Sequence, residues 1–284
     1  MPKIENLPSA KKRIFTIMLA VLIMFVSLLS ILQVGVWVAH YSWSHWRPTY
    51  AKLDISATIE RETLTTEDYQ MLYEQTGLTK IGIDGLRNVG RMEQILAIQD
   101  AYFDDEKVQT ESFGFFINME SVNKHIPLAE LEDGDIIVSA TTYLSFFRFG
   151  HSVLVVNAKK GLILESFDSS TLSELTDITS IDTLANLMVL RPKVDAQIRA
   201  KVAEYAQKSL VGIPYSIFAG ILTDKLEEIP TITQCTHIVW HAYKKFGIDL
   251  DSNGGVVVLP RDIVCSDQVE LVQTFWFDPI KLWS

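Results

Sequence analysis

Cysteine is scarce in this chain. Cys235 and Cys265 are the only two among 284 residues. Cys235, in "QCTHIVWHAYKKFG", stands at or just before the first turn of a helix. There the positive end of the helix dipole and the free backbone N–H groups stabilise a thiolate. His151, in "RFGHSVLVV", stands where a glycine hands over to a strand. An imidazole beside the sulfur lowers the thiol pKa further and relays protons. Glu165 ends the next apolar run, "GLILES". If "NAKKG" closes an antiparallel hairpin, Glu165 lies beside His151 and accepts the ring N–H that does not face the sulfur. A thiol, an imidazole and a carboxylate in that order perform acyl transfer to water through a thioester.

Each residue also has an ordinary reading. A single cysteine in an apolar run packs as a small hydrophobe, a strand histidine is a satisfied core residue, and a strand-end glutamate is solvated. Only the combination carries chemistry. Around it, Gln234 is a candidate oxyanion donor alongside the Cys235 backbone N–H, although neighbours at a helix start point apart. Tyr215 in "GIPYSIF" either lines the cleft or packs in the core. Arg148 either binds a substrate carboxylate or lipid phosphate, or is an exposed loop charge. His237 lies two residues beyond the cysteine and reads as a surface residue. "HIVWH" spaces His237 and His241 by one helical turn but lacks the glutamate of a zinc peptidase. With no phosphate loop and no GxSxG elbow, neither metal nor cofactor is expected. A Cys235–Cys265 disulfide would remove the nucleophile.

These residues need a sheet and a helix to position them. "GDIIVSA", "HSVLVVNA", "GLILESF" and "NLMVLRP" read as short strands, and "VELVQTFWF" as the last one. "DAQIRAKVAEYAQKSL" and the cysteine segment read as amphipathic helices, the second with Ile238, Val239, Ala242, Tyr243 and Phe246 on one face. Upstream, "TTEDYQMLYEQTGL" carries an N-cap, an acidic first turn and a C-cap glycine, and Gly85 to Phe103 repeats the helical period. The expected class is α+β, with a helical region over 61–125 and a sheet-and-helix domain over 126–284.

From Ile14 to Ala39 no charge appears, a stretch that as a helix crosses a hydrocarbon core of roughly 30 Å. Lys11, Lys12 and Arg13 precede it and favour a cytoplasmic N-terminus over 1–13. Trp37, Tyr41, Trp43 and Trp46 follow as an aromatic belt. The rival is a cleaved signal peptide, whose apolar core is about 7–15 residues, and no A-x-A site follows here. The span 14–39 therefore reads as an anchor, residues 40–60 as a polar stalk, and the rest as extracytoplasmic. A net charge of −10 argues against a nucleic-acid binder, which needs a basic face.

"LEDGDIIVS", "FRFGHSVLVV", "GLILES", "GIPYSIF" and "QCTHIVWHAYKKFGIDLDSNGGVVVLPRDIVCS" together resemble the circularly permuted papain-like family of YiiX, YaeF, YebB and YycO type, relatives of NlpC-like cell-wall peptidases. In papain the cysteine helix precedes the histidine strand, whereas here the order is reversed. The resemblance implies a permuted papain-like fold with an antiparallel sheet and a catalytic helix. It also implies an active site of Cys235, His151 and Glu165, and hydrolysis of amide bonds, with cell-wall peptides as substrate. Lecithin retinol acyltransferase shares the permuted order and acts on lipid acyl groups, which is the alternative substrate class. A non-catalytic scaffold is the alternative outside enzymes. Family members often carry Ser-Glu after the cysteine and an aromatic before it, where this chain has Thr236, His237 and Gln234, a departure that bears on substrate more than on the nucleophile.

Overall fold

In the computed structural model, residues 9–42, 45–113, 117–167, 171–278 and 283 are described. The chain is mixed α+β, with antiparallel sheets and one N-terminal apolar helix. That helix, α1 (Ser9–Ser42), contains a stretch from Lys11 to Val38 long and apolar enough to cross a membrane, with none of its most apolar window buried by protein.

Four helices follow: α2 (Ser56–Ile59), α3 (Thr66–Thr76), α4 (Lys80–Asn88) and α5 (Met92–Tyr102). The Thr65 hydroxyl and Asp68 carboxylate form a reciprocal capping box at the start of α3, and Gly77 closes it in the left-handed region at φ 71°. Two strands come next, β1 (Gln109–Phe113) and β2 (Ile117–Ser121). The expected helical region over 61–125 thus ends at Tyr102. The run "QTESF" has no apolar face at helical spacing, and its backbone pairs with β2 instead.

The main sheet has six strands: β3 (Ile136–Ser139), β6 (His151–Asn157), β7 (Leu162–Glu165), β8 (Glu174–Asp177), β9 (Leu187–Pro192) and β10 (Val269–Phe275). Their order is β10-β9-β3-β6-β7-β8, and every pairing is antiparallel. Between β3 and β6 the chain makes a hairpin, β4 (Thr142–Leu144) and β5 (Phe147–Arg148), which joins β1 and β2 in a second sheet. The remaining helices are α6 (Ala196–Ser209), α7 (Cys235–Lys244) and α8 (Pro260–Val264).

Both faces of the main sheet are covered, so its strands read as unbroken apolar runs rather than as an alternation. Ile136, Val138, Leu154, Val156 and Leu164 face Val202 and Ala206 of α6 and Ile238, Val239 and Ala242 of α7. Ile137, Val153, Val155 and Ile163 face the N-terminal layer built on Leu72, Ile83, Leu86, Ile95 and Tyr102. Burying each of these side chains contributes about 1.5–3 kcal/mol. Helix α7 is covered on every side, Cys235 to Tyr243 being buried throughout, a wider burial than the one-face pattern expected.

The 40–60 stretch is not a free stalk where it is described, from His45 onward. Ile55 and Ile59 are core residues, and Trp46 packs against the same cluster. The Arg47 guanidinium lies 3.6 Å from the Trp276 ring centroid and donates to the Asp104 carbonyl at 2.8 Å. The apolar residues scattered through this segment bind it to the helical layer.

Candidate active site

His151 opens β6 and Glu165 closes β7. The register pairs Leu154 with Leu164, so His151 and Glu165 are diagonal neighbours on one sheet face, within reach of long side chains. His151 Nε2–H donates to Glu165 Oε2 at 3.3 Å, while Glu165 Oε1 accepts from the Thr176 hydroxyl at 2.6 Å and from Ser180 at 3.5 Å. Gly150 is required just before the histidine. Its φ is +78°, and a Cβ there would lie 2.3 Å from the Ser139 carbonyl oxygen.

Cys235 is the first residue of α7, and it shares a cavity wall with His151, close enough that each group shifts the other's pKa. With Nε2 turned to Glu165, Nδ1 is the ring nitrogen left over for the sulfur. The Ser152 hydroxyl donates at 3.1 Å to the Thr236 hydroxyl, which lies 3.6 Å from the sulfur. Burial opposes the thiolate, but the His151 hydrogen bond and charge outweigh it, and the thiol pKa lies below its ordinary value. Burial likewise opposes the imidazolium. The contacts with Cys235 and Glu165 prevail, and the His151 pKa is pushed up to about 10. Burial would raise the Glu165 pKa as well, yet the His151 contact holds it down. The arrangement favours a thiolate–imidazolium pair braced by a carboxylate. Both cysteines are free, Cys265 being exposed.

A cavity of about 670 Å³ opens onto Cys235 and His151. Its wall is largely apolar: Ile117, Leu144, Phe147, Phe149, Phe167 and Phe218 among others, with Tyr215 and Gln234 also on it. The Phe167 ring meets the His151 ring edge-on at 5.4 Å. A larger groove of about 820 Å³ elsewhere has no cysteine, serine or threonine on its wall, and its Arg91 and His125 are paired with Glu130 and Asp182.

Three expectations about neighbouring residues are corrected. Gln234 is the N-cap of α7. Its Oε1 accepts from the Thr236 N–H at 2.7 Å and lies 3.3 Å from the sulfur, while Nε2 donates to the Val258 carbonyl at 2.6 Å. The amide therefore turns an acceptor toward the site, which suits a thiol proton and not an oxyanion. Arg148 is neither a cleft residue nor an exposed charge. It grips Glu120 with both terminal nitrogens, at 2.6 and 3.0 Å, and donates to the Ala140 carbonyl, because β5 folds back over β4 against β2. His237 is buried rather than on the surface. Its Nδ1 faces the Thr233 hydroxyl at 3.0 Å and its Nε2 the Lys225 carbonyl at 3.4 Å, while His241 Nε2 donates to the Glu227 carbonyl at 2.8 Å. The histidine pair in "HIVWH" thus straps the 225–227 loop to α7.

Sequence reasoning did not reach Thr176, Ser180, Ser152 or Phe167. The hydroxyls brace Glu165 from a strand and turn with no motif of their own. Only the Gly-His pair at 150–151 carried a local signal, since a left-handed residue before a strand asks for glycine.

No family model matches this chain, and no solved structure does. It is similar to the uncharacterized protein YycO of Bacillus subtilis (strain 168), 29% identical over 141 residues, or 49% of this chain. The chain spans about half the length of that relative, the match covering 55% of it.

Proposed function

We propose that this chain is a membrane-anchored cysteine hydrolase of the permuted papain-like kind. In this reading Cys235 is the nucleophile, His151 the general base and acid, and Glu165 the group that fixes the imidazole tautomer. The observation that carries it is one buried imidazole that hydrogen-bonds to Glu165 and lines the same open cavity as Cys235. Similarity to YycO is in keeping with it. The Cys235 thiolate attacks a carbonyl carbon, and the carbonyl oxygen becomes an oxyanion facing the Cys235 N–H, which has no acceptor within its own helix. The C–N or C–O bond then breaks, and His151 gives its proton to the leaving amine or alcohol. Water attacks the thioester, His151 takes its proton, and the acid departs with the thiolate restored.

The resemblance favours amide bonds of the cell envelope. The apolar wall of the cavity favours a second reading, an ester or amide carrying a long apolar arm. The lysines and arginine at 11–13 favour a cytoplasmic N-terminus with the site on the opposite side of the membrane.

Alkylation of Cys235 by iodoacetamide at pH 6, slowed by His151→Ala, is the expected result. Equal rates in both proteins would leave a scaffold. Product release from soluble wall peptides, or instead from a long-chain lipid ester, then selects the substrate class.

A further inference from the structure

We infer that the mouth of the Cys235 cavity lies at the membrane surface, with its rim seated among lipid tails. The occupant of this surface is the bilayer itself. The inference deepens the hydrolase reading and rests on it for the substrate: a molecule with an acyl or isoprenoid chain that enters the cavity from the leaflet rather than from water.

The first observation is a contact between α1 and the hairpin β4–β5. Ser145, at the hairpin tip, donates from its hydroxyl to the Leu32 carbonyl at 2.8 Å. Gly35 lies buried there, and a Cβ on it would stand 2.1 Å from Ser145 Oγ and 3.1 Å from the Phe146 ring. The single glycine of α1 is thus the place where the hairpin meets the helix. Counting about 20 residues of hydrocarbon core from Ile14 puts the far boundary near Val34. The hairpin touches α1 at that level.

The second observation is the chemistry of the rim. Next to Ser145, Phe146 is 69% exposed and Phe147 52%. Across the cavity, Ile217, Phe218 and Leu222 are exposed as well, Leu222 at 72%. Phe147, Ile217 and Phe218 line the cavity itself, so one apolar surface runs from α1 over the hairpin and around the opening. Isolated exposed apolar residues are ordinary, but a continuous patch that borders a membrane-spanning helix is what an interfacial surface requires. The third observation is the tether. Trp46 and Arg47, four and five positions past the end of α1 in the sequence, are packed on the body of the chain.

The test uses the full chain in vesicles of phosphatidylethanolamine and phosphatidylglycerol. The photo-cross-linking residue p-benzoylphenylalanine replaces Phe146 or Leu222, with Val34 on α1 as the lipid-facing reference and Lys208 on α6 as the water-facing one. Lipid adducts at 146 and 222, at least about tenfold above those at 208, are expected. Adducts at 34 alone, or a cross-linked pair of chains at 146 or 222, would overturn the inference. Alkylation of Cys235 is read in the same samples, so loss of the hydrolase reading registers separately from loss of the docking surface. For the substrate, Phe146→Asp combined with Leu222→Asp is expected to slow release from a long-chain ester held in vesicles by about tenfold. A water-soluble short-chain ester should be unaffected, and equal slowing of both would overturn entry from the leaflet.

Discussion

Two histidines of this protein are almost equally hidden and behave in opposite ways. His151 is 4% exposed and His237 2%. At His237 burial dominates, and the pKa falls to about 4, so the ring is neutral and serves as a strap between α7 and the 225–227 loop. At His151 the same burial is outweighed by a thiol on one side and a carboxylate on the other, and the pKa rises to about 10. Burial therefore does not by itself decide the charge on a histidine. The charge that faces each ring nitrogen does: an anion stabilises the imidazolium, whereas a hydroxyl and a carbonyl satisfy a neutral ring.

Five experiments break or sharpen this contrast. The largest effect is expected from Cys235→Ser. It should abolish both alkylation in the cavity and turnover, leaving label only on the exposed Cys265. His151→Ala comes next. Without the imidazolium the thiol returns toward its ordinary range, and alkylation at pH 6 should slow by on the order of 100-fold. In the unaltered protein the pair also sets the pH profile. Its alkylation rate should decline only as pH falls through the lowered thiol pKa. Under the proposed mechanism, turnover should decline as pH rises through about 10, where His151 loses the proton that this mechanism passes to the leaving group. Glu165→Gln removes the anion but keeps an acceptor, so a fall in turnover of roughly tenfold and a lower His151 pKa, read by NMR titration, are expected. The smallest effect on chemistry belongs to His237→Leu. Leaving the Thr233 hydroxyl and Lys225 carbonyl without their partner costs about 1–3 kcal/mol in thermal unfolding, while the Cys235 alkylation rate stays unchanged. A drop in that rate would mean that the two histidines are not as separate as their contacts indicate.

The strands around the site were readable because "HSVLVVNA" and "GLILESF" are apolar runs ended by turn residues, and the "NAKKG" turn fixed their pairing. The hairpin β1–β2 was not. "QTESF" and "INMES" are short and polar, and their conformation depends on β4 laid beside them by the tertiary fold. Arg148 was misjudged for a related reason. Its partner Glu120 is 28 residues away on another strand, and no local pattern announces a buried ion pair. Gln234 was assigned a donor's role because it precedes the cysteine. Its amide orientation is set by the Thr236 N–H and the Val258 carbonyl, the latter 24 residues on.

What the amino-acid sequence determined alone were features with local causes: an uncharged helix long enough for a membrane, a glycine where the backbone must turn left-handed, and a cysteine at a helix start. The tertiary structure decided what those features face. Chain folding brought a sulfur from α7 to a ring on β6, drew Phe147 and Phe218 around one opening, and fastened the residues after α1 to the core. Such contacts are made between segments tens of residues apart. Their energies depend on distance and on excluded water, and neither is written in residue order.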